Sequence, residues 1–123
     1  MKSRVEDVEA VRKLISKYIE GSRGDAELLR SIFHPQAVMN GYFQGRLGLG
    51  SPEPFISLVE NLDKSDAKSE YKAEIESIDV VGEVATAKLL EHDFMGSGFV
   101  DFFQLIRIDG EWKIISKTYH QLR

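Results

Sequence analysis

Cysteine is absent from this 123-residue chain. That excludes disulfides, thiol nucleophiles and cysteine-based zinc sites. No apolar run approaches the ~20 residues that a membrane-spanning helix needs. The charged opening MKSRVEDVEAVR also lacks the apolar core of a secretory leader. Basic excess is missing too, because 16 Lys and Arg against 20 Asp and Glu leave a net charge of −4. A phosphate backbone calls for a basic surface, so nucleic acid is not an expected partner. The 3 histidines, His34, His92 and His120, do not fall at the i, i+2 or i, i+4 spacing of a metal site. GRLGLG does not follow a strand and open a helix, so it is not read as a phosphate loop. Neither metal nor cofactor is expected, and the location expected is cytoplasmic.

What the chain does contain is ordinary for a globular protein: 42% hydrophobic and 29% charged residues, with no low-complexity segment. Its length suits one domain over residues 1–123. Ser3 and Glu6 have capping-box spacing, and Val8, Val11, Ile15, Tyr18 and Ile19 then recur at helical steps. Asp25 caps a second helix that buries Leu28, Leu29, Ile32 and Phe33, and Pro35 blocks its continuation. GYFQGRLGLG is expected as a flexible loop with some strand character. Ser51 and Pro52 open a third helix with Phe55, Leu58, Val59 and Leu62 on its inner face.

After the polar connector DKSDAKS the apolar period changes from helical to alternating. Strands are predicted over Tyr71–Val81, Val84–Met95, Phe99–Ile108 and Trp112–Gln121, joined by the tight turns VGE, MGSG and DGE. Three helices followed by an antiparallel meander is an α+β layout. The pairs Leu89-Leu90, Phe102-Phe103, Leu105-Ile106 and Ile114-Ile115 are apolar on both faces. Helices can cover one face only, so the other is expected to meet a second copy in a homodimer.

KYIEGSRGDAELLRSIFHPQAV and the closing FFQLIRIDGEWKIISKTYH resemble the nuclear transport factor 2-like superfamily across nearly the whole chain. Within it the chain is most similar to the SnoaL-like and "putative lumazine-binding" groups. The resemblance implies a cone, with three N-terminal helices packed on a curved antiparallel sheet around a pocket, commonly in a homodimer. Members include isomerases, dehydratases, polyketide cyclases and non-catalytic modules, so activity must be argued from the site. Against ketosteroid isomerase, the oxyanion tyrosine matches Tyr18. The position of the aspartate base falls on Gly41, preceded by Asn40, and that of the second oxyanion donor falls on Gln104. The resemblance therefore implies surviving donors and a missing base.

The reading reached is binding of a small apolar or aromatic ligand, with Tyr18, Asn40, Phe102, Gln104 and His120 lining the pocket. His120 is placed on the inner face by alternation from Trp112 through Ile114, Ser116 and Thr118. Asp93 and Asp101 are expected on that face as possible orienting carboxylates. Two alternatives stand beside it. One is a SnoaL-like cyclase, isomerase or dehydratase using Tyr18 and His120 for acid–base work, and the other is a non-catalytic dimerisation module. His34 is read as ending the second helix, and His92 as a solvated or interface residue.

Overall fold

The first helix is amphipathic, and its buried side chains fall on one stripe: Asp7, Val11, Ile15, Tyr18 and Gly21. This helix, α1 (Arg4–Gly21), leads into α2 (Ala26–Ile32). The computed structural model describes residues 4–62 and 70–122, so the Ser3 cap and the connector at 63–69 lie outside the described residues. The Asp25 carboxylate accepts the Leu28 N–H at 3.0 Å, as its capping role requires. At Gly21 a Cβ would sit 2.8 Å from the Leu29 side chain, so the two helices meet closely there.

The chain then turns directly into a strand, β1 (Phe33–Phe43), with β2 (Arg46–Gly48) folding back on it. The segment expected as a flexible loop is therefore largely a hairpin, with Gly41 opposite Gly48. Its turn at Gln44 and Gly45 takes positive φ at both residues, the geometry two-residue hairpins prefer. Helix α3 (Glu53–Glu60) follows. Pro52 occupies its cap position, while the Ser51 hydroxyl accepts the Glu53 N–H at 3.3 Å.

Strands β3 (Lys72–Val81), β4 (Val84–Phe94), β5 (Ser97–Ile108) and β6 (Glu111–Leu122) form the expected meander within a residue or two at each end. Among the described residues the sheet has six strands in the order β2-β1-β6-β5-β4-β3. All neighbours are antiparallel except β1 and β6, which run parallel. The sheet is thus mixed rather than wholly antiparallel, because β1 joins the closing strand in parallel.

Register shifts interrupt four of the five strand pairings. Bulges of this kind increase twist and bend, which curves the sheet around the helices. The shift in β6 matters most for function. Leu105 pairs with Ile114 and Gln104 with Ser116, leaving Ile115 as the extra residue. Before it Trp112 and Ile114 point inward; after it Lys117 does. The core lies between α1, α2 and the inner sheet face, built on Val11, Ile15, Leu29, Leu89, Leu105 and Ile114.

Candidate functional site

Where helices and sheet diverge, the fold leaves a cavity of about 290 Å³. Its walls are largely apolar: Met39 and Phe43 from β1, Phe55 and Leu58 from α3, Phe94 from β4 and Phe99 from β5. Phe43, Leu49 and Leu58 are exposed and form the mouth. Tyr18, Glu91, Lys117 and Tyr119 bring polar atoms into the lining. Sites that orient a small molecule are commonly built this way, with few polar groups in an apolar cup.

These polar groups belong to a buried cluster of charged and phenolic side chains. Tyr18 is fully buried and packs edge-on against Phe103, with ring centroids 4.8 Å apart. Lys117, only 4% exposed, donates a hydrogen bond from Nζ to the Tyr18 hydroxyl. Its ammonium also lies over aromatic rings, 4.2 Å from the Phe55 centroid and 4.8 Å from that of Tyr18. Such contacts stabilise a desolvated cation by up to ~2 kcal/mol each. Asp101 is completely buried, with Oδ1 4.0 Å from Nζ, which is too long for a hydrogen bond. Glu91 is buried beside it and accepts the Tyr71 hydroxyl at 2.6 Å.

Burial pushes the Asp101 carboxyl well above the usual carboxylate range; Lys117 opposes this and Glu91 reinforces it. Neither Asp101 oxygen has a well-formed hydrogen bond among the described residues. Burial, followed by the neighbouring acid Glu91, likewise raises the phenols of Tyr18 and Tyr71. Both therefore remain protonated donors. The floor of the cavity combines a primary amine with a phenol in contact with it, and the buried carboxyls of Glu91 and Asp101 stand beside them. This set can hold a carbonyl oxygen by hydrogen bonding and can exchange protons with it.

The Asp101 shift has a sign that calorimetry can read. An unfolded aspartate titrates near 3.9, so above that pH the native state binds more protons than the unfolded one. The Asp101 contribution to stability is complete below ~4 and is lost as pH rises through the folded value. The loss proceeds at no more than about 1.4 kcal/mol per pH unit. Asp101→Asn removes this dependence. The stability of D101N relative to the natural protein is expected to increase as pH rises from about 4 and to level off once Asp101 ionises in the folded protein. A constant difference above pH ~4 would show that Asp101 is ionised throughout.

Of the residues expected in the pocket, Tyr18 lies on its floor. Asn40 is half-buried on β1 and does not line the cavity; its Oδ1 accepts the Gly50 N–H at 3.1 Å and so holds the segment that forms the mouth. Phe102, Gln104 and His120 occupy the outer sheet face and are exposed. The inner placement of His120 is corrected by the bulge at Ile115, which inverts the alternation counted from Trp112. Asp101 is accordingly on the face opposite His120, while Asp93 takes positive φ at the irregular end of β4. His34 accepts the Gln36 N–H through Nδ1, and His92 is exposed. Lys117 and Glu91 were not singled out in the sequence. The adjacent apolar pair Ile114-Ile115, a sign that one residue is extra, was the available signal. Among the described residues no group of three His, Asp or Glu side chains could hold a metal ion, and no helix is long and apolar enough to cross a membrane.

The sequence profile described as "putative lumazine-binding" matches residues 6–120. The aldolase FrzH from a Cladobotryum species is 30% identical over 105 residues, spanning 84% of this chain and 82% of that protein. An NTF2-like protein of unknown function from Shewanella baltica is 31% identical, with a TM-score of 0.90 over 100% of this chain and 99% of its own. Another, from Silicibacter pomeroyi, is 30% identical with a TM-score of 0.89, covering 98% and 100%. A Novosphingobium aromaticivorans NTF2-like protein with a cystatin-like fold shares the architecture at 16% identity, with a TM-score of 0.69 over 96% and 83%. The chain belongs to the putative lumazine-binding family of the nuclear transport factor 2-like superfamily.

Proposed function

We propose that the protein binds a small, largely apolar, carbonyl-bearing molecule in the cavity, with Lys117 and Tyr18 holding the carbonyl oxygen. The observation that carries this reading is a buried amine, in contact with a phenol, at the floor of an otherwise apolar cup. Two donors converging on one acceptor suit a carbonyl or an enolate better than a cationic or purely hydrocarbon ligand. The similarity to a protein named an aldolase supports the same class of ligand. It also favours a second reading, in which the bound carbonyl compound is activated for carbon–carbon chemistry.

Calorimetric titration with 2-acetonaphthone, an aromatic ketone, tests the binding reading. A hydrogen bond from a charged donor is worth ~1.5–3 kcal/mol, so Lys117→Met is expected to weaken binding about ten- to hundredfold. Gln104→Ala and His120→Ala, which alter the outer face, are expected to leave affinity unchanged. No binding by the natural protein, or loss on His120→Ala with Lys117→Met silent, would refute the proposal.

We also propose that the outer sheet face pairs with a second copy. Phe102 and Val84 are 54% and 52% exposed on that face, beside partly exposed Ile106 and Ile115. Stable homodimers commonly bury ~2,000 Å² or more over patches of this kind. Sedimentation at micromolar concentration is expected to give a dimer, and Phe102→Glu a monomer with unchanged helix content. A monomeric natural protein would end this proposal.

A further inference from the structure

We propose that Lys117 is a carbonyl-reactive amine, whose Nζ condenses with an aldehyde or ketone in the cavity to form an imine. The inference rests on the carbonyl-binding reading and goes beyond it, from a hydrogen-bonded ligand to a covalent one. Lys117 lines the cavity, and its Nζ contacts Tyr18 and Phe55, which line it too, so a carbonyl compound in the cup stands beside the amine. Among the described residues its hydrogen bond goes to the Tyr18 hydroxyl, and its nearest carboxylate oxygen, on Asp101, stands 4.0 Å away. The nitrogen is therefore not tied into a close ion pair, unlike Arg107, which grips Asp7 at 2.6 Å and Glu83 at 2.8 Å. A desolvated lysine of this kind is the usual source of imine chemistry in proteins.

The surrounding groups can move each proton the condensation requires. Nζ turns from the Tyr18 hydroxyl toward Asp101 Oδ1, 4.0 Å away at rest, and gives the ionised carboxylate one proton, which frees the nitrogen lone pair. That pair forms the C–N bond as the carbonyl π electrons move to oxygen, which takes a proton from the Tyr18 phenol. The nitrogen of the resulting carbinolamine carries two protons; it gives one to the Tyr18 phenolate and so recovers its lone pair. The hydroxyl then leaves as water with the proton returned by Asp101, and the lone pair closes the C=N bond. Ammonium and carbonyl thereby become a protonated imine and water, with no oxidant or reductant involved. The apolar walls formed by Phe55, Phe94 and Phe99 keep bulk water from the C=N bond and so slow its hydrolysis.

Incubation with 2-naphthaldehyde and sodium cyanoborohydride, followed by peptide mapping, tests the proposal. The chain has 9 lysines, so the position of the adduct is informative. The expected result is a single early mass gain, equal to the aldehyde less one oxygen atom, on the peptide carrying Lys117. Tyr18→Phe is expected to slow it about 10²-fold, the size of a general-acid contribution. Lys117→Arg is expected to abolish it, while the natural protein binds 2-naphthalenemethanol, which cannot form an imine. Labelling confined to surface lysines, with the alcohol still bound, would overturn the imine and leave the binding reading intact. If neither compound binds and Lys117 stays unlabelled, both fall.

Discussion

Gly41→Asp is expected to leave the protein unfolded instead of installing a catalytic base. Gly41 falls where the ketosteroid isomerases carry their aspartate, so this substitution is the obvious attempt to restore that chemistry. The backbone forbids it. A Cβ at residue 41 would lie 2.1 Å from the Tyr119 carbonyl oxygen and 2.7 Å from the Tyr119 ring. These atoms belong to the parallel β1–β6 pairing, in which Gly41 is opposite Tyr119. Relief requires β1 to move off the sheet, and with it the cavity wall carried by Met39 and Phe43. A cost above ~4 kcal/mol is expected, in the range that few single substitutions reach. Gly45→Ala is the control. Its φ of +76° is unfavourable, but no atom lies within 4 Å of the added methyl. Its expected cost is ~1 kcal/mol. Circular dichroism during urea denaturation measures both. A folded G41D protein with ketosteroid isomerase activity would contradict the described approach of β1 to β6.

Reversing the charge at Lys117 should be nearly as severe, and reversible by acid. Lys117→Glu sets a third carboxyl against Asp101 and Glu91, both buried, with no cation among them. Uncompensated buried charge costs ~3–5 kcal/mol, so the variant is expected to be largely unfolded at pH 8. Burial and mutual repulsion raise carboxyls in such a cluster, and the native state binds the additional protons. Stability should therefore recover as pH falls toward 5. Lys117→Met behaves differently, because it adds no charge and leaves Asp101 to stay protonated to a higher pH. The loss expected for K117M is under ~2 kcal/mol at pH 6, growing as pH rises. A K117E protein as stable at pH 8 as at pH 5 would show that residue 117 is solvated.

The helices were legible because each carries one apolar stripe, and the four long strands because their period is two and glycine turns separate them. Tyr18 was legible for the same reason: it is the one polar side chain on the α1 stripe to reach the cavity. The remaining site was hidden by a single residue. Alternation counted from Trp112 predicts Ser116, Thr118 and His120 inside, whereas the extra residue Ile115 brings in Lys117. Bulges leave little mark on composition, and reading across one exchanges the two faces of a strand. Glu91 was obscured in another way. It stands in the fully polar run Glu91-His92-Asp93, where alternation alone cannot say which residue is buried. The hairpin of β1 and β2 was masked by glycines that serve close strand approach at Gly41 and positive φ at Gly45.

The parallel pairing of β1 with β6 also governs the order in which the molecule can assemble. Gly41 and Tyr119, partners in the sheet, are 78 residues apart in sequence (119 − 41). During synthesis, α1, α2 and β1 emerge early, yet the hydrogen-bonding edge of β1 waits for β6. Contacts of such long range are slow to form, because a large loop must close before any of them is made. The cavity wall on Met39 and Phe43 and the reactive floor on Lys117 are brought together only by that closure. A nascent chain halted in β5 would therefore present Phe43 and Phe99 to the chaperones of the cell, with the amine not yet synthesised.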